Sequence, residues 1–489
     1  MEQETATELA ATGITGLNDI LGGGLTAGKM NLLSGGPGTG KTTFALHFLA
    51  EGIKSGERCL YITVGGAEKD FIALAKSAGI PIDSDLFSIH LVEIGAEILD
   101  GPEQRIFHSA ESEPASAMNE MLAEFKRVKP KRLVIDSLSD LRFLAEDSAS
   151  YRRLILALRQ EFYAEACTVL LTNNVSFSRS EIDLHLETVC QGVINLEQLV
   201  IGYGPTRRRL LVLKLRGRAY RSGWHDFRIT VEGIEVFPTL VAGEHRQAAP
   251  SELILSGNAD LDLIFGGGFH RGSTLAIIGA SGTGKTTMAN QYVAAAAKNG
   301  DHVAIYLFEE SEVSYRRRAE GLGLSIDGFI DKGLVALNHV GVAELSAGEF
   351  AARLRQEVEE NGVRTVVLDT LNGYANAMLD EEYLILQLHE LFAYLSHKGV
   401  TTFLVVEEHG FGHPALEVKN VNYLADAILL LRFFEHRGEI KRAVSVVKKR
   451  SGNHEKTIRE MTLSGAGIAL GETLIEMQGV LTGAPILEA

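Results

Sequence analysis

Short apolar runs alternate with amphipathic stretches along the whole chain. Five such runs lie in the first half, at 32–35, 59–64, 132–137, 168–173 and 192–197, and five in the second, at 275–279, 303–309, 365–370, 402–407 and 427–432. Helix-like segments such as 44–54 and 151–166 separate them. Continuous apolar runs between helices are typical of strands buried on both faces. The pattern therefore predicts an α/β fold with a mostly parallel central sheet and helices on both faces.

Further strand-like segments follow the fifth run of each half. They lie at 209–218 and 227–237 in the first half and at 442–451 and 457–470 in the second, with turn residues between them. Alternating segments separated by turns are typical of antiparallel pairs. We expect β-hairpins at the edge of each sheet.

The two halves repeat each other without gaps. Residues 12–43 match residues 256–287 at a constant offset of 244, about half of the 489-residue chain. The polar stretch from Gly243 to Glu252 contains Pro250 and suits a linker. The sequence therefore predicts a tandem duplication with domains at 1–245 and 246–489, the second ending in a short tail.

Each half contains one copy of the phosphate-loop motif G-x-x-x-x-G-K-[ST], at 35–42 and 279–286. Glycines let backbone N–H groups surround phosphate oxygens, the lysine neutralises β/γ charge, and the threonine hydroxyl ligates magnesium. Each loop follows an apolar run and precedes a helical segment, so we expect ATP and Mg²⁺ in both domains. The predicted nucleotide-binding residues are Gly35, Gly38, Thr39, Gly40, Lys41, Thr42, Thr43, Gly279, Gly282, Thr283, Gly284, Lys285, Thr286 and Thr287.

A magnesium-organising carboxylate is expected at the tip of a later buried strand. Asp136 and Asp369 each follow an apolar run at the expected distance from a phosphate loop. Together with Thr42 and Thr286 they form the predicted metal sites. A strand-ending aspartate that only begins a turn is the alternative interpretation.

The halves differ where hydrolysis needs a carboxylate to orient water. Glu309 and Glu310 follow the strand run of the second half, and with Lys285 they are the predicted catalytic residues. Their counterparts in the first half are Gly65 and Gly66. Glu68, two residues further on, is a possible substitute base. Acids that merely favour a helix N-terminus are the alternative for the glutamates.

Alternating basic residues occur in both hairpin segments, as Lys214 and Arg216 and as Lys448 and Arg450. Such spacing places two charges on one face of a strand. They either form a solvated edge or reach phosphates bound by a neighbouring subunit.

Composition narrows the function classes. The net charge of −16 disfavours broad binding to nucleic acid or an anionic membrane. The three cysteines lack C-x-x-C spacing, which fits a reducing compartment. The first 28 residues contain no Lys or Arg, unlike a signal peptide, and no apolar run has the roughly 18 residues of a membrane span. We expect a cytoplasmic protein that does not bind membranes.

The order of motifs, the GGG lead-in at 22–24, the paired glutamates and the segments 214–238 and 437–464 resemble the KaiC family of circadian-clock ATPases over nearly the whole chain. The resemblance implies tandem RecA-like domains, a two-tiered homohexamer with ATP between protomers, and an assembly role for the first tier. It also implies a protein partner, KaiB-like or another signalling protein. By this resemblance, Lys214, Arg216, Lys448 and Arg450 touch nucleotide across the interface.

Three features depart from the family pattern. Gly65 and Gly66 replace paired glutamates, and Asn422 and Tyr423 replace the phosphorylated Ser-Thr pair. The sequence also stops soon after LTGAP, which leaves little of the tail that captures the partner KaiA. These departures favour a KaiC-like ATPase outside a complete oscillator.

Two other functions stay open on the sequence. A serine/threonine autokinase would use the same nucleotide sites. A RecA-type DNA-processing ATPase would share the core fold, with the basic runs 207–209 and 316–318 as DNA contacts. We expect those runs to be solvated faces, because the net charge is negative and no DNA-binding module is evident.

Overall fold

The computed structural model describes residues 8–64, 68–82, 84–92, 112–142, 148–175, 181–200, 206–247, 251–341, 345–378, 381–408, 418–475, 477–480 and 486–487. The chain divides into two compact units, the first ending at Thr239 and the second beginning at Leu240. Among the described residues, the predicted domains 1–245 and 246–489 differ from these units by the six residues 240–245.

The first unit contains eleven described strands and seven described α-helices. The strands are β1 Leu9–Ala10, β2 Leu25–Thr26, β3 Met30–Gly35, β4 Cys59–Val64, β5 Phe87–Val92, β6 Arg132–Asp136, β7 Thr168–Asn174, β8 Gly192–Leu199, β9 Arg207–Leu215, β10 Trp224–Thr230 and β11 Gly233–Phe237. The helices are α1 Leu17–Ile20, α2 Lys41–Lys54, α3 Glu68–Ser77, α4 Ser112–Val128, α5 Leu138–Arg142, α6 Ser148–Ala164 and α7 Glu181–Val189.

The second unit begins with a 3₁₀-helix, Ala242–His245. Its described strands are β12 Leu253–Ile254, β13 Phe269–His270, β14 Thr274–Gly279, β15 His302–Leu307, β16 Val335–His339, β17 Val363–Asp369, β18 Thr401–Glu407, β19 Ala427–His436, β20 Glu439–Lys449, β21 Arg459–Ser464, β22 Gly467–Thr473, β23 Met477–Gln478 and β24 Ile486–Leu487. Its helices are α8 Ala259–Ile264, α9 Lys285–Lys298, α10 Glu312–Gly321, α11 Asp327–Ile330, α12 Ala347–Glu359, α13 Leu371–Ala377, α14 Glu381–His397 and α15 Val418–Leu424.

Each unit is built on a nine-stranded mixed sheet with the same topology. The order is β11-β10-β9-β8-β3-β7-β6-β4-β5 in the first unit and β16-β15-β17-β18-β14-β19-β20-β21-β22 in the second. Six neighbouring strands are parallel, and the last three form antiparallel hairpins at one edge. The predicted fold class, two tandem RecA-like domains with edge hairpins, is confirmed.

Apolar side chains cover both faces of each sheet, which explains the continuous apolar runs. In the first unit, Phe44 on α2 and Phe71 on α3 belong to one core, and Phe125 on α4 belongs to the opposite core. In the second unit, Met288 on α9 and Leu388 on α14 occupy the corresponding two faces. The phosphate loops follow the carboxyl ends of the central strands β3 and β14.

Candidate functional site

The first phosphate loop connects β3 to α2 at the carboxyl edge of the parallel strands. Gly38 and Gly40 have φ angles of 76° and 99°, a region that other residues rarely adopt. Lys41 opens α2, and its Nζ donates to the carbonyl oxygens of Gly35 and Gly36 at 2.9 and 2.8 Å. The loop therefore folds back on the lysine, with the helix N-terminus beneath it, which is the geometry that binds phosphate.

The second loop repeats this arrangement between β14 and α9. Gly282 and Gly284 have φ angles of 79° and 105°, and Lys285 Nζ donates to the Ala280 carbonyl at 2.9 Å. Thr283 Oγ1 donates to the same carbonyl at 2.8 Å. Burial lowers the pKa of both Lys285 and Lys41, so an anionic phosphate beside either lysine would stabilise its charged form.

Asp136 lies at the end of β6, beside the first loop, and accepts hydrogen bonds from three side-chain hydroxyls. Thr42 Oγ1 and Tyr61 OH donate to its Oδ2 at 2.9 and 2.7 Å, and Thr172 Oγ1 donates to Oδ1 at 2.5 Å. The structure therefore brings together Thr42 and Asp136, the predicted metal pair of the first domain. Tyr61 and Thr172 join it from the neighbouring strands β4 and β7.

Asp369 occupies the same position beside the second loop, at the end of β17. It is 6% exposed, and its Oδ2 has no hydrogen-bond partner among the described residues. Burial raises the pKa of Asp369 to about 6, partly offset by a hydrogen bond from the hydroxyl of Thr286. A buried carboxylate oxygen without a donor fits a water or hydroxyl held by Mg²⁺, so Asp369 and Thr286 are suited to hold the metal.

The two predicted catalytic glutamates lie just beyond β15 in different environments. Glu309 is exposed, and its Oε2 accepts a hydrogen bond from Thr370 Oγ1 at 2.9 Å. Glu310 forms an ion pair with Arg318 on α10 at 2.7 Å. The other Oε of Glu309 can therefore orient water, whereas the charge of Glu310 is neutralised.

The first-domain counterparts of these glutamates, Gly65 and Gly66, lie outside the described residues. The candidate substitute, Glu68, is the first residue of α3 and is exposed.

A further carboxylate at the second site was missed by sequence reasoning. Glu407 ends β18 and pairs in register with Gly279, the first glycine of the phosphate loop. Its charge acts on Lys285, together with the charges of Asp369 and Glu309. In the first domain the residue paired with Gly35 is Asn174, which is uncharged. The glutamate is visible at the end of the run 402–407, but its place beside the loop follows only from the strand order.

The basic pair of the first domain lies at the opposite edge of the sheet from its own phosphate loop. Lys214 on β9 pairs with Val193 on β8, which in turn pairs with Leu32 near the start of β3. The phosphate loop follows the other end of β3. The Lys214 ammonium donates to the carbonyl of Glu187, and Arg216 Nη2 donates to the carbonyl of Thr188 at 2.8 Å. These side chains therefore lie away from the nucleotide site of their own domain.

The second basic pair has the same placement and contacts α15. Lys448 Nζ donates to the carbonyls of Asn422 and, at 2.7 Å, of Ala425. Arg450 Nη2 donates to the carbonyl of Tyr423 at 3.0 Å. The pair thus binds the backbone of the helix that carries the substituted phosphoacceptor positions.

Three arginines of the two basic runs are paired with acids. Arg209 binds Glu197 at 2.6 Å and lies over the Trp224 ring, and Arg316 binds Asp327 at 3.1 Å. Arg318 binds Glu310, as described above.

Two tandem α/β domains, each with a phosphate loop, a following helix and a strand-end aspartate, define a duplicated P-loop nucleoside triphosphatase. The sequence profile of the KaiC ATPase family matches residues 10–241 and 254–474. The chain therefore belongs to the KaiC family.

Similarity to individual KaiC proteins is distant and spans most of their length. The chain is 28% identical to the circadian clock oscillator protein KaiC of Acaryochloris marina, over 97% of this chain and 90% of that protein. It is also 28% identical to the circadian clock protein KaiC3 of Synechocystis, over 100% and 97%. The KaiC of Synechococcus elongatus is 28% identical over 97% and 91%. None of the helices that the structure describes is long and apolar enough to cross a membrane.

Proposed function

We propose that this KaiC-family ATPase binds Mg-ATP in both domains, hydrolyses it mainly in the second, and signals its nucleotide state to a protein partner as a homohexamer. The observation that carries the proposal is the set of carboxylates around the second phosphate loop. The charges of Glu309 and Glu407 act on Lys285 there, while the aligned first-domain positions are Gly65 and Asn174.

Hydrolysis at the second site needs water held in line with the γ-phosphorus. Glu309, fixed through Thr370, accepts a proton from that water as its oxygen attacks. The bond from the γ-phosphorus to the bridging oxygen then breaks, giving ADP and inorganic phosphate. Lys285 and the loop N–H groups stabilise the charge that develops on the phosphate oxygens. Mg²⁺, held through Thr286 and Asp369, supplies further charge neutralisation when bound.

The first domain retains the groups that bind nucleotide and has Gly65 and Gly66 at the positions aligned with Glu309 and Glu310. Its nucleotide would therefore serve chiefly as a structural ligand. Lys214 and Arg216 lie too far along the sheet to act on their own loop, so contact with a nucleotide requires the loop of another copy of the chain. This placement supports assembly of protomers around shared nucleotides.

Glutamine substitutions separate the roles of the two glutamates. In Glu309→Gln we expect turnover to fall by roughly 10²–10⁴, because a lost general base commonly costs that factor. Glu310→Gln is the matched control and should retain more activity, since Glu310 is paired with Arg318. Lys285→Ala should remove most activity, and Lys41→Ala should weaken assembly first.

The measurement is steady-state phosphate release, with nucleotide binding and oligomer mass followed in parallel. The proposal is contradicted if Glu309→Gln and the double Glu309→Gln/Glu310→Gln protein keep their turnover while Glu68→Gln abolishes it. Hydrolysis would then occur mainly in the first domain.

Ion pairing within the basic runs favours this function over DNA processing. Arg209, Arg316 and Arg318 are each bound to an acidic side chain, which reduces the positive charge available to phosphodiesters. The named relatives are circadian clock proteins, which supports signalling to a protein partner. A salt-sensitive mobility shift of single-stranded DNA would instead favour the DNA-processing alternative.

A further inference from the structure

The metal-side aspartates of the two domains are equivalent in the fold and different in their surroundings. Asp136 ends β6, and the neighbouring strand β4 carries Tyr61. Asp369 ends β17, and the neighbouring strand β15 carries Ile305 at the equivalent position. Tyr61 is 3% exposed, and its ring packs on Phe71 with centroids 4.0 Å apart, so its hydroxyl is held on the carboxylate.

Three hydroxyl donors occupy most of the acceptor capacity of Asp136. An ionised carboxylate offers about four lone-pair sites. Thr42, Tyr61 and Thr172 use three of them. A metal-bound water that hydrogen-bonds to Asp136 must therefore compete with donors that are already in place.

Apolar side chains stand at two of these three positions in the second domain. Val405, paired in register with Asp369, replaces Thr172, and Ile305 replaces Tyr61. Of the three donors only the loop threonine, Thr286, is retained. The Oδ2 of Asp369 is left without a partner among the described residues.

The charges around the two aspartates also favour metal binding at the second site. Glu309 and Glu407 add two carboxylates near Lys285, and Arg318 is already neutralised by Glu310. At the first site the aligned residues, Gly65 and Asn174, carry no charge. The second site therefore attracts a divalent cation more strongly.

We propose that Tyr61 and Thr172 lower the divalent-cation affinity of the first site, so that the two nucleotide sites of one chain differ in their demand for metal. At limiting Mg²⁺ the second site fills with metal–nucleotide first, while the first site still binds nucleotide through its loop and Lys41. The inference rests on the proposed function, since it requires nucleotide in both domains. Tyr61 and Thr172 act through Asp136 and are positioning residues.

Manganese titration tests the proposal on the full chain. With a saturating non-hydrolysable ATP analogue, free Mn²⁺ is followed by electron paramagnetic resonance. We expect two classes of site, one per domain, with dissociation constants about tenfold apart, the size of effect typical for groups hydrogen-bonded to metal ligands.

Conservative substitutions show which domain holds each class of Mn²⁺ site. Tyr61→Phe/Thr172→Val should tighten the weak class several-fold and leave the strong class unchanged. Val405→Thr, which adds a donor facing Asp369, should weaken only the strong class. Tyr151→Phe is the matched control, because it also removes a buried tyrosine hydroxyl from the first domain, one that donates to the Leu138 carbonyl at 3.3 Å. It should move neither class.

The inference is overturned if the unchanged chain shows a single class of Mn²⁺ site. It is also overturned if the weak class does not respond to Tyr61→Phe/Thr172→Val. Either result leaves the proposed function intact. Should the double variant misfold, Tyr61→Phe alone and Val405→Thr decide the same question. Binding of a fluorescent ATP analogue without metal is measured separately. Failure of both domains to bind that analogue, with or without metal, overturns the proposed function and the inference together.

Discussion

His225 links the stability of the first domain to pH. The side chain is fully buried, Nε2 donates to the Arg221 carbonyl at 3.1 Å, and Nδ1 accepts from the Thr239 N–H at 3.0 Å. Burial lowers its pKa. Protonation would place a hydrogen on Nδ1 and remove the acceptor. His47 in the same domain also has a pKa lowered by burial, and it accepts from the Ile234 N–H at 2.9 Å.

We expect the first domain to lose stability as the pH falls below about 6.5, the ordinary pKa of histidine. Because the folded-state pKa of His225 is depressed, its contribution is complete above the unfolded pKa and is lost as the pH falls through the folded value. Trp224, the single tryptophan, reports on this domain. Urea unfolding followed by tryptophan fluorescence should have a lower midpoint at pH 5.5 than at pH 7.5. His225→Gln should reduce that difference, and an unchanged difference would contradict the assignment.

Sequence alone can locate the candidate site residues that lie in the phosphate-loop motif or at a characteristic distance from it. Lys41, Thr42 and Asp136 follow from spacing along the chain, because a phosphate loop and its strand-end carboxylate recur at a characteristic distance. Tyr61 and Glu407 do not, because each reaches its site from a neighbouring strand. Their positions depend on the order of strands in the sheet, which the apolar pattern leaves open.

Among the elements, the five apolar runs of each half became buried strands, but two of the described strands in the nine-stranded sheets were not predicted. β5 and β16 form the outer edge of each sheet. Most of their residues are only partly buried, and they carry polar side chains such as His90 and Asn338. An edge strand needs less apolar surface, so its hydrophobic signal is weak.

We expect α15 to carry no phosphate of the clock type. Asn422 has no hydroxyl, and Tyr423 is exposed with its ring stacked on His389 at 5.3 Å. A site shaped for serine or threonine transfer would be misaligned with a phenol that lies several ångströms further from the backbone. Intact mass after incubation with Mg-ATP should show no addition at 420–426. A phosphate mapped there would contradict this, whereas one on a distant serine would support a different autokinase.

For the whole molecule, we expect ATP to drive assembly into a hexamer. If Lys214 and Arg216 complete the site of a neighbour, nucleotide that binds the ring stabilises it by mass action. Light scattering should show a larger mass with ATP than without nucleotide. Lys214→Ala/Arg216→Ala should weaken assembly, and Lys448→Ala/Arg450→Ala is the matched change in the second tier. An unchanged monomer mass with ATP, with ADP and without nucleotide would rule assembly out.

The segment from Leu240 to His245 decides where the duplicated chain can be cut. Leu240 and Ala242 lie in the core of the second unit, the Ala242 N–H donates to Glu390 Oε2 at 2.9 Å, and its carbonyl lies 3.0 Å from His397 Nδ1. Trypsin cleavage after Arg246 would therefore separate the second domain from part of its own core, whereas severing the chain after Thr239 would leave each half whole.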